Sequence, residues 1–256
     1  MMDLSIVVPS IRVENWLELI ESIKSSCGDV EFEVIFVGPK YNPVVDSYTN
    51  VKYVRDFGSP NRCQQIGLSL AEAEYVTWGS DDCMYTEGSI SECLRVLKEA
   101  ETESDKPVAI TINYDENDSV AVSDFLLTSC YGNFPHIEDD WFIFNAAIMK
   151  REDLEEIGGF DCSFDVTCLG HSDLAARWQH SGYKVVAHNI KLMKCSWMPG
   201  TSGDHAPIHY SQTIKDMPMY GQKYSQGAFP SDRIDFDNWK LQPSVWDRRF
   251  LENKLK

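Results

Sequence analysis

The chain has 256 residues, 43% of them apolar, which is enough for one large hydrophobic core and too few for two domains of ordinary size. It has 40 Asp and Glu residues against 23 Lys and Arg residues, and the formal charge of -17 argues against a protein that binds duplex nucleic acid. No apolar run approaches the ~20 residues of a membrane helix, no signal peptide is recognisable and the eight cysteines form no CxxC pair, so we expect a cytoplasmic protein with reduced thiols.

The first part of the chain alternates between two kinds of pattern. β-Branched runs predict strands over residues 4–8, 32–37, 51–54, 75–78 and 108–114, and apolar residues at helical spacing predict helices over 13–25, 60–73 and 89–100. This alternation predicts a mostly parallel α/β sheet flanked by helices. Ligands bind beyond the carboxyl ends of such strands, so residues 10–12, 38–39 and 79–82 should share one edge of the sheet.

The rest of the chain is less regular. We expect a loop-rich segment over residues 115–140, strands over 142–149, 183–188 and 192–197, a short helix before Gly158, and a helix over 172–181. From residue 199 onward no periodicity is clear, which predicts an irregular extension packed across the ligand-binding face. The whole, residues 1–256, should be one domain with parts 1–115, 116–198 and 199–256.

Two adjacent carboxylates follow the strand that ends at Trp78. The side chains of Asp81 and Asp82 must diverge, so one can bind a metal while the other binds a sugar or ribose hydroxyl. Mg²⁺ and Mn²⁺ prefer such oxygen ligands, and a cation would offset the negative field of this acidic protein around a phosphate. The alternative is an ordinary acidic turn in which one Asp caps the next helix.

Five short segments, taken in their order along the chain, form a recognisable set: LSIVVPS at residues 4–10, EVIFV at 33–37, YVTWGSDD at 75–82, GGFD at 158–161 and DLAAR at 173–177. This ordered set resembles the family 2 glycosyltransferases with the GT-A fold, over about residues 4 to 190. The resemblance implies a Rossmann-like GT-A domain, a nucleotide-sugar donor, and a glycan or another hydroxyl compound as acceptor.

The resemblance also implies roles for particular residues. In that family the ends of the first strands and the helix after the third hold the nucleotide-sugar, and an Asp-x-Asp motif holds the metal. Carried over, this implicates Ser10, Arg12, Arg62, Ser80 and Asp81 in nucleotide-sugar binding and Asp82 in binding Mn²⁺ or Mg²⁺. Arg62 could instead be a solvent-exposed helix residue, and Trp197 is a further candidate, for stacking on the sugar.

Three positions depart from the family pattern. The second strand ends in Gly38 where an acidic residue usually contacts the base or ribose, and Gly79 takes the first position of the Asp-x-Asp motif. The family's Glu-Asp-x-Asp-Leu motif, counted back from Arg177, has Gly170 in place of the Glu. These departures leave the identity of the nucleotide undecided, and UDP is favoured over GDP by its frequency among such enzymes.

The same count places His171 at the position of the usual catalytic Asp. An imidazole titrates near ~6.5, so His171 could deprotonate an acceptor hydroxyl in an inverting reaction. Asp173 is the competing base, and we predict a catalytic or acceptor-binding role for the two together. Alternatively Ser172 or Asp173 caps a helix and His171 orients a loop; if neither reaches the acceptor, a retaining mechanism is the better account.

A late pair of histidines completes the candidate site. GT-A enzymes often supply a late histidine as a metal ligand, and His205 and His209 occupy that part of the chain, with Pro207 between them. An imidazole beside a carboxylate would favour Mn²⁺ over Mg²⁺.

A metal-dependent, inverting glycosyltransferase is the function that these expectations favour. Three alternatives remain. A nucleotidyltransferase would need a glycine-rich, basic loop after the first strand, where residues 9–13 hold a single Arg. A sugar- or nucleotide-binding protein that has lost catalysis would explain Gly38, Gly79 and His171 at positions where acidic residues are usual. A protein that interacts through its acidic surface would have no nucleotide affinity.

Overall fold

The computed structural model describes residues 2–116, 119–121, 126–195, 203–227, 229 and 233–250. Within these ranges β1 to β9 comprise Leu4–Pro9, Phe32–Gly38, Val51–Arg55, Tyr75–Trp78, Cys83–Tyr85, Val108–Glu116, Ser119–Ala121, Ala147–Lys150 and Lys184–Cys195. Helices α1 to α8 comprise Trp16–Cys27, Pro60–Ser69, Ser89–Thr102, Leu127–Tyr131, Arg151–Glu156, Thr167–His180, Ala206–Ser211 and Met217–Ser225. A π-helical turn, Gln212–Asp216, joins α7 to α8.

All of these strands join in one mixed sheet. Its order is β3-β2-β1-β4-β8-β6-β9-β5, and β7 pairs with β6. The neighbours β3, β2, β1 and β4 are parallel, as are β6 and β9, while β5, β7 and β8 are antiparallel to their partners. The expected α/β sheet flanked by helices is therefore present, and its parallel part brings the ends of β1, β2 and β4 to one edge.

Both faces of the sheet are buried because side chains alternate along each strand. In β1, Leu4 and Ile6 pack with Trp16 of α1 in one core cluster, whereas Val7 faces the other side, against α2, in a second cluster that also includes residues of α6 and α8. Helix α2 starts at Pro60, with the Ser59 hydroxyl accepting a hydrogen bond from the backbone N–H of Arg62, the third residue of the helix.

The prediction for the helix that carries the expected catalytic residues is wrong at its start. Helix α6 begins at Thr167, so Ser172 and Asp173 lie inside it and neither caps it. The N–H groups just before the helix are instead bound by the carboxylate of Asp216, which belongs to the C-terminal extension.

Two strand predictions in the second half also need correction. Strand β8 covers only the end of the predicted segment 142–149, because Gln179 binds the backbone N–H and C=O of Phe142 and Thr111 binds the carbonyl of Ile143. The predicted strands 183–188 and 192–197 form the single strand β9, whose register against β6 shifts between His188 and Lys191. Residues 196 and 197 lie outside the described ranges.

The C-terminal extension is more helical than predicted. Residues 206–225 form α7, the π-helical turn and α8, and β7 and α4 lie within the segment expected to be loop-rich. No helix in the described ranges has the length and apolarity needed to cross a bilayer.

Candidate functional site

A cavity of about 590 Å³ lies at the edge of the sheet where β1, β2 and β4 end. Residues 9–12, 37–39 and 78–82, which end or follow these strands, line it together, as predicted from the alternation of elements. The extension contributes another part of the lining, so it does pack across this face: His205, Ile208, His209, Gln212, Trp246, Arg249 and Phe250.

Asp81 joins two of the loops that line the cavity. One carboxylate oxygen accepts hydrogen bonds from the Ser10 hydroxyl at 3.0 Å and from the backbone N–H groups of Ile11 and Arg12 at 2.6 and 2.7 Å. The other accepts one from the Arg12 guanidinium at 2.5 Å. The carboxylate is buried and surrounded by donors, so it positions the loop after β1.

Asp82 points toward the extension, where it meets His205. The Nε2 atom of His205 lies 3.3 Å from a carboxylate oxygen of Asp82, and the Ser80 hydroxyl donates a hydrogen bond to the other oxygen. Burial alone would raise the pKa of Asp82, but the hydrogen bonds from His205 and Ser80 and the charge of Arg12 outweigh burial and lower it. Asp82 is thus an ionised, partly exposed carboxylate beside an imidazole.

This pair fits a shared divalent cation. Two neighbouring ligand atoms at ~2.1 Å from an ion lie about 3 Å apart, close to the observed separation. Within the described ranges, no group of three or more His, Cys, Asp or Glu side chains is arranged to hold a metal. The remaining ligands would come from phosphate oxygens and water, as is common for Mg²⁺ and Mn²⁺ sites. His209 lines the same cavity from α7.

Arg12 lies at the centre of the charged groups. Its guanidinium is 2.5 Å from Asp81, 2.8 Å from Asp204 and 3.7 Å from Asp82, and its Nη2 lies 3.3 Å from Nδ1 of His205. Burial lowers the pKa of Arg12, and the carboxylates more than compensate and raise it. The positive charge of Arg12 is therefore balanced by protein carboxylates.

His171 lines the cavity from α6, as a residue that contacts substrate should. Its Nε2 is 3.0 Å from the amide oxygen of Gln64, and its ring packs against those of Trp78 and Phe160. Burial lowers the pKa of His171 to about 3, so the imidazole is neutral at pH 7. It can accept or donate a hydrogen bond, but its low proton affinity makes it a weak base.

Asp173 lies away from the cavity lining. It is fully buried in an ion-pair network with Arg177 at 2.8 Å, Lys223 and the hydroxyl of Tyr224. Burial would raise its pKa, but the charges of Lys223 and Arg177 dominate and lower it to about 2. These contacts join α6 to α8, which indicates a structural role rather than the predicted catalytic one.

Arg62 is also directed away from the cavity. It forms two hydrogen bonds with Asp56, at 2.9 and 3.1 Å, and its Nη1 donates to the carbonyls of Trp239 and Gln242. The sequence suggested that Arg62 contacts a diphosphate, but the guanidinium is bound by Asp56, which precedes the helix. Its remaining hydrogen bonds hold the C-terminal extension. Trp197, the candidate for sugar stacking, lies outside the described residues.

Comparisons with known proteins bear on the fold. No model of a known protein family matches the chain, and no curated protein matches its sequence. Solved structures of S. aureus TarS do match: a 1–349 fragment with UDP at 16% identity and TM-score 0.55, the same fragment with UDP-GlcNAc at 14% and 0.56, and the fragment alone at 13% and 0.57. The fold is GT-A-like.

The matches differ in extent. They cover 77%, 93% and 100% of this chain, in that order, and 61%, 69% and 74% of the TarS fragment. The chain thus spans 61% of the length of the first TarS structure. At these identities the likeness concerns the fold alone.

The sequence did not point to Gln64 or Arg249, two of the polar residues that line the cavity. Gln64, in α2, has a buried amide nitrogen without a hydrogen-bond acceptor among the described residues. Arg249 comes from the extension, where the adjacent arginines of Trp246-Asp-Arg-Arg-Phe250 in an acidic chain were the available signal. Burial, then the neighbouring charge of Arg12, lower the pKa of Arg249.

Proposed function

We propose that this protein is a glycosyltransferase that moves a sugar from a nucleoside diphosphate sugar, with UDP as the favoured nucleotide, to an acceptor hydroxyl. The observation that carries the proposal is the meeting of Asp82 and His205, 3.3 Å apart and beside Arg12, at the carboxyl ends of parallel strands. The GT-A-like fold shared with TarS, whose structures include complexes with UDP and UDP-GlcNAc, supports this choice of donor.

In the proposed complex the donor lies along the loops after β1, β2 and β4. Asp81 keeps the loop of Ser10 and Arg12 in place through its hydrogen bonds. Asp82 and His205 would hold Mn²⁺ or Mg²⁺, and such an ion supplies positive charge that stabilises a departing nucleoside diphosphate. The mixed carboxylate and imidazole set favours Mn²⁺.

The acceptor would bind at His171, on the α6 side of the cavity. A neutral imidazole there can accept a hydrogen bond from the attacking hydroxyl, and the buried ring of Trp78 packs against the imidazole and holds it in place. We propose direct displacement with inversion: the acceptor oxygen bonds to the anomeric carbon as the bond to the nucleoside diphosphate breaks, and the hydroxyl proton passes through His171 to water, because the weakly basic imidazole does not retain it. Holding the two substrates together provides much of the acceleration. The anomeric configuration of the product, read by NMR, would decide between inversion and retention.

Calorimetric titration tests the donor site. The protein is titrated with UDP and GDP, each with Mn²⁺ and again with EDTA, and we expect Mn²⁺ to strengthen the binding of UDP. Release of UDP from UDP-GlcNAc in the presence of Mn²⁺ would separate an enzyme from a nucleotide-binding protein without catalysis. Binding of neither nucleotide would reject the proposal.

A substitution tests the metal site separately. Asp82→Asn removes the ionised ligand and should abolish the effect of Mn²⁺ on UDP affinity, whereas Asp139→Asn removes the same charge from an exposed position and should preserve it. An unchanged Mn²⁺ effect in Asp82→Asn would show that the metal is bound elsewhere.

A further inference from the structure

Residues 245–250 of the C-terminal extension, here called the strap, lie across the cavity and are fixed to the domain by several contacts. The backbone N–H of Trp246 donates to the carbonyl of Phe57 at 2.7 Å, and the ring of Phe250 packs edge-on against that of Phe57. The indole N–H of Trp246 donates to Asp165 at 3.1 Å. The backbone on either side of Arg249 is thereby held against the domain.

The hydrogen-bonding groups of Arg249 are only partly satisfied in this position. One of its Nη atoms donates to the carbonyl of Asp204, but its Nε is buried and has no acceptor among the described residues. It also forms no ion pair with a carboxylate in the described ranges, unlike Arg12, which faces Asp81, Asp82 and Asp204. A partly buried cation with an unused N–H donor is costly unless a ligand completes it.

The chemistry of the missing partner follows from the surroundings. Arg249 lines the same cavity as Arg12 and the loop after β4, and the wider protein is strongly acidic. A guanidinium offers a planar set of N–H donors that matches the oxygens of a phosphate. Arg62, the other arginine expected to contact the diphosphate, is paired with Asp56.

The geometry points to Arg249, supplied by the C-terminal strap, as a direct ligand of the donor's diphosphate. This inference rests on the function proposed above and adds to it a contact that needs no metal. Asp82 and His205 would provide the metal-dependent part of the nucleotide affinity, and Arg249 a part that persists when the metal is removed.

Titrations of three variants test the inference. Arg249→Gln should weaken UDP binding by about tenfold to a hundredfold, with Mn²⁺ and equally with EDTA, and should leave the affinity for uridine unchanged. Arg249→Lys keeps the charge but lacks the Nε–H donor, and should lose about threefold to tenfold. Arg95→Gln is the matched control, because Arg95 is exposed on α3 and pairs with Glu92 and Glu99, away from both the cavity lining and the strap.

The outcomes separate the two proposals. If the wild-type protein binds neither UDP nor GDP, the proposed function is rejected and the role of Arg249 with it. If the wild-type protein binds UDP, an equal effect of Arg249→Gln and Arg95→Gln, or an equal loss of UDP and uridine affinity, rejects the role of Arg249 alone. Thermal unfolding establishes that each variant is folded; if Arg249→Gln is not, Arg249→Lys carries the same comparison.

Discussion

Gly38 ends β2 against the backbone of Ser10, and a Cβ atom added to it would lie 1.7 Å from the carbonyl oxygen of Ser10. A Cβ added to Gly170 would lie 2.3 Å from the side-chain oxygen of Asn61, because α6 packs closely on α2. The resemblance expects acidic side chains at both positions, and the close approaches leave no room for them. These departures are therefore consequences of packing, and the nucleotide contacts must come from other residues.

His171 provides a prediction about pH. Its pKa is about 3 in the folded protein, against 6.5 for an ordinary histidine, and the groups that pack on it, Gln64, Trp78 and Phe160, are uncharged. Between these pH values the unfolded chain binds more protons, so this residue lowers the free energy of unfolding as the pH falls, by at most about 1.4 kcal/mol per pH unit. His171→Gln should make the pH dependence of urea unfolding shallower in this window.

NMR provides an independent check on the same residue. The ring resonance that disappears in His171→Gln should titrate near pH 3 in the wild-type protein, as long as the fold persists. A midpoint near 6.5 would contradict the burial of a neutral imidazole and would restore His171 as an effective general base.

At the level of elements, the parallel part of the sheet was predictable and the extension was not. Short β-branched runs alternating with helical spacing identified β1 to β4, and parallel strands bring their carboxyl ends to one edge, so Ser10, Arg12 and Asp82 were placed in one site. The π-helical turn Gln212–Asp216 interrupts the helical period between α7 and α8, which hid both helices. The prediction that Arg62 contacts the nucleotide-sugar was wrong for another reason. Its carboxylate partner, Asp56, precedes the helix, and no sequence pattern indicates which cation a carboxylate will bind.

The contact between α6 and α8 depends on Asp173. Asp173→Asn leaves Arg177 and Lys223 without their shared buried carboxylate, so we expect the free energy of unfolding to fall by about 3–5 kcal/mol. UDP affinity, measured at a temperature where the variant is folded, should change little, because Asp173 does not line the cavity. Asp105→Asn, at an exposed site, is the control. A catalytic Asp173 would instead show lost transfer with unchanged stability.

At the scale of the whole molecule, the acidic excess lies mostly before residue 203, and the extension carries nearly balanced charges. It brings His205 and Arg249 to the cavity that Asp81 and Asp82 also line, with His205 in contact with Asp82. The cavity is therefore lined in full only when residues 203–250 are docked on the first part of the chain. Because the two parts are far apart in sequence, the proposed donor site should be sensitive to residues that anchor the strap, residues 245–250, without touching a ligand's phosphates.

Trp246 is one of these anchors, and its substitution allows the dependence of UDP affinity on the strap to be measured. Trp246→Ala removes a buried ring that is 5% exposed, together with the indole hydrogen bond to Asp165, and should lower the free energy of unfolding by about 3–5 kcal/mol. It should also weaken UDP binding, because Arg249 loses its support. Leu241→Ala, in the extension just before the strap and 78% exposed, should change the free energy of unfolding by less than about 0.5 kcal/mol and leave UDP affinity intact. Equal UDP affinity in both variants would show that the donor site forms without the strap.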